Sequence, residues 1–194
     1  MRHFQLIARN MPVAPVMQQL AEHPDLWGEN PLRKEFSGSP HKQMDDIWVR
    51  YNDAAKLSYL THAQFNEEHV PVWYRAWKEL PALRRIVFTL VNLEHFEMIG
   101  GVLITKIPPG CSILSHADIG WHVEQYEKYY ISLQSAPGSL FICNEGQEDE
   151  EVLNPLVGDC WLFDNRKYHS VHNRSGVDRI TLIVCGRTDK YGRY

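Results

Sequence analysis

Apolar residues in the first half of the chain recur at helical spacing in two places. Val13, Val16, Met17, Leu20 and Ala21 share one face over 12–23, and Pro24 closes that segment. Within 70–96, a stretch rich in helix formers, Leu83, Ile86, Val87 and Leu90 repeat at i, i+3, i+4 and i+7 and predict a helix laid on a sheet. Between the two, the chain is polar and turn-rich from Leu32 (Ser37-Gly38-Ser39-Pro40) until Ile47-Trp48-Val49-Arg50-Tyr51, whose β-branched and aromatic alternation predicts a strand. From Met98 the period changes to two. Short alternating segments are cut by Pro108-Pro109-Gly110, Ala136-Pro137-Gly138, Val157-Gly158-Asp159 and Arg174-Ser175-Gly176, the spacing of an all-β barrel or jelly roll. The pattern reads as a single domain over 1–194, mainly β with flanking helices: helical and strand support over 1–97 and a β core over 98–187.

Composition narrows this picture. With 194 residues and 44% hydrophobic content the chain can bury one good core. A net charge of −4 argues against a protein whose main work is coating nucleic acid. No apolar run approaches the ~18 residues of a membrane span, and Met1-Arg2-His3-Phe4 does not begin a secretory leader. A cytoplasmic protein is expected. Cys111, Cys143, Cys160 and Cys185 are dispersed among strand-like segments, without a CxxC pair, and read as buried free thiols. The acidic run from Glu145 to Glu151 reads as a solvated hairpin tip.

The candidate chemistry lies in the β half. Ser115-His116-Ala117-Asp118-Ile119-Gly120 is answered about fifty residues later by Lys167-Tyr168-His169-Ser170-Val171-His172, and then by Asp178-Arg179-Ile180-Thr181. Side chains alternate faces along a strand, so His116 and Asp118 are expected to point the same way, and a histidine from a neighbouring strand would complete a three-ligand face. His169 and His172 compete for that place; three apart on a strand they face opposite sides, so one alone can reach the metal unless the strand bulges. Two histidines and a carboxylate leave one side of an octahedral metal open, which suits non-haem Fe(II). Ten residues past His169, Arg179 could pair its planar fork with the far carboxylate of 2-oxoglutarate, with Thr181 adding a hydroxyl from the same strand face.

Over roughly Gly100 to Arg187 the chain reads GGVLITKIPPG, SHADIGWH, YYISL, GDCWLFDNRKYHSVHN and DRITLIV. In these motifs it resembles the 2-oxoglutarate/Fe(II)-dependent oxygenases, specifically the aspartyl/asparaginyl β-hydroxylase-like group. The resemblance implies a double-stranded β-helix, a jelly roll of the cupin kind. It implies Fe(II), 2-oxoglutarate and dioxygen as cofactor and co-substrates, iron ligands His116, Asp118 and His169, and a co-substrate arginine at Arg179. It selects His169 over His172. The chain departs from the group at Lys128-Tyr129-Tyr130, where many relatives carry Arg-x-His, and Tyr130 is the substitute offered for the outer co-substrate contact.

The reaction so implied is a hydroxylation: 2-oxoglutarate is oxidatively decarboxylated to succinate while hydrogen is removed from an unactivated carbon and replaced by hydroxyl. The implied substrates are amino acids, peptides or other small molecules. Trp121 and His122, just past Gly120, are the candidate substrate contacts, together with Arg50 for an anionic group. Trp161 and Phe163 read as core. Two other classes compete: a non-catalytic cupin-like metal- or ligand-binding module, against which the intact HxD, His and Arg argue, and a metal enzyme that does without 2-oxoglutarate, against which Arg179 argues.

Overall fold

The computed structural model describes residues 2–188. Eleven strands run in chain order: β1 (Phe4–Ala8), β2 (Asp45–Asn52), β3 (Pro71–Trp73), β4 (Phe96–Ile107), β5 (Ser112–His116), β6 (Glu127–Gln134), β7 (Ser139–Cys143), β8 (Glu151–Leu153), β9 (Cys160–Phe163), β10 (His169–Asn173) and β11 (Arg179–Thr188). The α-helices are α1 (Ala14–Glu22), α2 (Leu32–Glu35), α3 (His62–Glu67), α4 (Ala76–Glu79), α5 (Leu83–Glu94) and α6 (Trp121–Glu124). A seven-stranded sheet has the order β1-β9-β6-β11-β4-β2-β3, and a four-stranded sheet the order β5-β10-β7-β8. All pairings are antiparallel. The fold is the double-stranded β-helix.

The alternation along β11 explains how the two sheets and the helices share the chain. Ile180, Leu182 and Val184 point to the outer face, where they pack with Val16 and Leu20 of α1 and Leu83, Ile86, Val87 and Leu90 of α5. Arg179, Thr181, Ile183 and Cys185 point to the inner face and line a cavity between the sheets. Each fully buried aliphatic side chain of the outer layer contributes on the order of 1.5–3 kcal/mol. A slip of one residue would carry Arg179 into that apolar layer, so its burial against the helices fixes the register of the site. Between the sheets, Phe4, Ile107, Ile113, Phe141, Trp161, Phe163 and Val171 form a second apolar cluster closing one end.

Two expectations are refined. Residues 70–96 are not continuously helical: Pro71 opens the edge strand β3, and Pro81 separates α4 from α5 because its ring cannot continue a helix. The polar stretch after Leu32 contains the short helix α2, which no periodic pattern announced. The acidic run does form the β7–β8 connection. Its two ends are tied rather than free: Glu145 accepts from Ser170 at 2.6 Å and Glu151 from the backbone of His3 at 2.6 Å.

Candidate active site

The cavity between the sheets has a volume of about 280 Å³. His116 and His169 stand side by side on one wall of it because β5 and β10 pair with these two residues directly opposite. Their rings lie 4.4 Å apart, centroid to centroid. Each imidazole is oriented the same way: His116 Nδ1 is 2.7 Å from Leu114 O and His169 Nδ1 is 2.9 Å from Lys167 O. A carbonyl only accepts, so both rings carry a hydrogen on Nδ1 and turn Nε2 toward the cavity. Burial pushes the His169 imidazole down to about 4, which keeps it neutral at physiological pH.

Asp118 completes the set, though not as strand alternation suggests. Strand β5 ends at His116, and Asp118 lies in the loop beyond it. It is placed there by its backbone N–H, which donates to Asn165 O at 2.9 Å, and by the turn at Gly120. Its Oδ1 lies 3.3 Å from His116 Nε2. Burial pushes the carboxyl up, but the Lys128 ammonium, with His116 beside it, outweighs this and holds Asp118 well below the usual carboxylate range. One donor atom each from His116, Asp118 and His169 all lie within 4.8 Å of one another. Two imidazole nitrogens and an ionised carboxylate oxygen converging on one point are a donor set that fits Fe(II) and leaves the cavity side open.

Arg179 occupies the far end. It is buried, its Nε has no partner, and no hydrogen bond or ion pair to another described residue engages its guanidinium. Burial lowers it to about 10, so it remains a cation at neutral pH. An unpaired buried guanidinium costs several kcal/mol unless an anion meets it. Thr181 lies beside it on the cavity wall, as does Tyr130. Asn165 Nδ2 donates to the Tyr130 hydroxyl oxygen, which leaves that hydroxyl's own hydrogen available to the cavity.

The mouth is built by residues the motifs did not single out. Arg33 on α2 enters the lining with one nitrogen bound to Asp46 at 2.8 Å. Phe36 stacks on His62 at 4.5 Å. A capping box between Thr61 and Gln64 starts α3 and so fixes His62. His41 stands edge-on to His116 at 5.0 Å. The only trace of these in the sequence was a polar, turn-rich composition, and Asn165 lay unremarked inside the FDN motif.

The expected substrate contacts divide. His122 lines the cavity, and burial pushes it down to about 3, so it is a neutral wall residue. Trp121 does not line it: the turn at Gly120 sends its indole into a cluster with Trp48, Tyr51, Phe65 and Tyr126, where it is 1% exposed. Arg50 is also outside. Its guanidinium lies over the Trp73 ring at 4.9 Å, and Nε donates to Ile99 O, because β2 turns this side chain toward the edge strand β3. Arg33, unlike Arg50, does line the cavity. His172 faces away from His169, bound to Ser112 Oγ at 2.9 Å and to Glu145. Trp161 and Phe163 are core, and all four cysteines are free.

Among solved structures, the chain superposes on a prolyl hydroxylase from Trichoplax adhaerens, crystallised with a peptide fragment of the hypoxia-inducible-factor oxygen degradation domain. That match has a TM-score of 0.62 and 14% identity and covers 97% of this chain and 84% of that one. A prolyl-4-hydroxylase from Pseudomonas putida matches with TM-score 0.51 and 14% identity over 96% and 93%. A 2-oxoglutarate/Fe(II) oxygenase-family oxidoreductase from Burkholderia pseudomallei matches with TM-score 0.54 and 14% identity over 74% and 66%. At this identity these likenesses show the shared fold. No curated protein matches the sequence. The family model described as aspartyl/asparaginyl beta-hydroxylase matches residues 39–187, well over half of the chain. The chain therefore belongs to the aspartyl/asparaginyl β-hydroxylase family of Fe(II)- and 2-oxoglutarate-dependent oxygenases.

Proposed function

We propose that this hydroxylase acts on a small molecule, or on a single residue offered by a peptide, that carries one negative charge. The observation behind this reading is the charge of the cavity wall. Arg33, Lys128 and Arg179 line it against one acid, Asp118, and Asp46 beneath Arg33 makes a second. Fe(II) and the 2-oxoglutarate dianion bring equal and opposite charge, so one positive charge is left over for the substrate. A buried surplus charge is costly unless an anion offsets it. The size of the cavity points the same way: small-molecule sites span roughly 300–1,000 Å³, and about 280 Å³ must here hold the co-substrate as well.

In this reading His116, Asp118 and His169 hold Fe(II), and Arg179 with Thr181 and Tyr130 holds the distal end of 2-oxoglutarate. The bound metal with 2-oxoglutarate and dioxygen supplies the oxidant that replaces C–H by C–OH, with release of succinate and carbon dioxide. The rest is positioning. Arg33 holds the substrate's anionic group at the mouth, its Asp46 partner fixing one nitrogen and leaving the others for the ligand. Phe36, His62 and Ile119 wall off water. We place the enzyme in a reducing compartment, the cytoplasm, supported by its four free thiols.

The test is succinate formation by the iron-loaded protein with matched pairs of amino acids and their carboxamides. Acids should accelerate it over their amides, and Arg33→Met should abolish that preference. Equal acceleration by both members of each pair would remove the charged-substrate reading. No turnover with a broad amino-acid, peptide and nucleotide panel would favour a binding module instead.

A further inference from the structure

The two oxygens of Asp118 have different surroundings. Oδ2 accepts from Lys128 Nζ and from Asn165 Nδ2, the latter at 2.9 Å, whereas Oδ1 faces His116 Nε2 at 3.3 Å. Lys128 is itself buried, 9% exposed, and Asp118 is its anionic partner. It reaches this place because β6 puts Lys128 and Tyr130 on the cavity face and Tyr129 in the helix layer. Asn165 is 4% exposed, and both hydrogens of its amide are committed, one to Asp118 Oδ2 and one to the Tyr130 oxygen.

A carboxylate can bind a divalent cation through one oxygen or through both. In an octahedral site the difference is a whole coordination position. An oxygen that already accepts two hydrogen bonds, one of them from an ammonium, has its lone pairs occupied and its charge offset. We propose that Lys128 and Asn165 are positioning residues that hold Asp118 to a single metal-facing oxygen, Oδ1, and so keep one coordination position open. The proposal rests on the metal reading of the same site. It also accounts for a lysine beside a dication site, where charge alone would disfavour it: the ammonium costs metal affinity and keeps a position free.

The test uses Mn(II) and the full chain, without turnover. Calorimetry gives the affinity, and broadening of the Mn(II) resonance by ¹⁷O-water gives the number of bound waters. Lys128→Met should bind Mn(II) at least as tightly as the wild type and carry one fewer bound water, both with and without 2-oxoglutarate. Lys128→Arg, which keeps a cationic donor, should retain the wild-type count. Asn165→Ala removes the other donor and should also lose a water, so the idea can be decided if Lys128→Met does not fold. A wild-type water count in the variants that fold, with affinity unchanged or reduced, would show that the pair only neutralises a buried carboxylate. Failure of the wild type itself to bind Mn(II) would instead refute the metal site on which the proposal stands.

Discussion

His116 and His169 sit directly opposite each other on antiparallel strands, and each directs its Nδ1 at the carbonyl two residues before it, Leu114 and Lys167. Equivalent local bonds thus orient both rings from the backbone alone, and donor atoms of the two histidines converge with one of Asp118. Preorganised donors of this kind lose little entropy on binding.

The first expected outcome follows from the side of β10 on which each histidine lies. His169→Ala should abolish stoichiometric Fe(II) binding, since it removes one of three donors. His172→Ala should leave it intact and cost only the Ser112 and Glu145 hydrogen bonds, about 1–2 kcal/mol of stability. Metal analysis after anaerobic desalting distinguishes them, and an exchange of the two results would mean that the strand presents its other face.

Gly120 provides a second. Its φ of 95° and ψ of −176° lie in a region open essentially to glycine, and an added Cβ would stand 2.9 Å from Asn66 O. Gly120→Ala should therefore lower stability by about 1–3 kcal/mol. It should weaken metal binding too, because this turn ends the loop carrying Asp118. Thermal melting and metal titration of the same variant check both, and unchanged values would mean that the loop accommodates the side chain elsewhere.

Much of this was legible in the sequence because period-two alternation carries position as well as structure. Arg179 and Thr181 share a face with Ile183 and Cys185, and the intervening Ile180, Leu182 and Val184 are apolar enough to fix which face is outside. Asp118 reached the expected place for a different reason, a loop hydrogen bond to Asn165 rather than alternation. Trp121 and Arg50 were misplaced because exposure in loops and at strand ends depends on φ at Gly120 and on the partner Trp73, neither of which a pattern encodes. Arg33 was missed because a four-residue helix has no period to read.

The third expected outcome concerns the distal carboxylate. Arg179→Lys keeps the charge but replaces a planar two-pronged fork by a point donor of different reach. It should weaken 2-oxoglutarate by about 1.5–3 kcal/mol, roughly ten- to a hundredfold, and leave Fe(II) affinity unchanged, since Arg179 bonds to none of the three ligands. Anaerobic titration following the metal-to-ligand charge-transfer band measures it. An unchanged titration would assign that carboxylate to another cation. Lys128 is a poor candidate, being already engaged with Asp118.

The central claim is that His116, Asp118 and His169 form one Fe(II) site at which 2-oxoglutarate is consumed. It is tested most directly by measuring succinate formed from 2-oxoglutarate in air by the Fe(II)-reconstituted protein beside its His116→Ala variant. The account predicts slow succinate formation by the wild type without added substrate, faster when a substrate fills the cavity, and none above background for the variant. Succinate formation that persisted in His116→Ala, or that was absent from wild-type protein shown to hold iron, would contradict it.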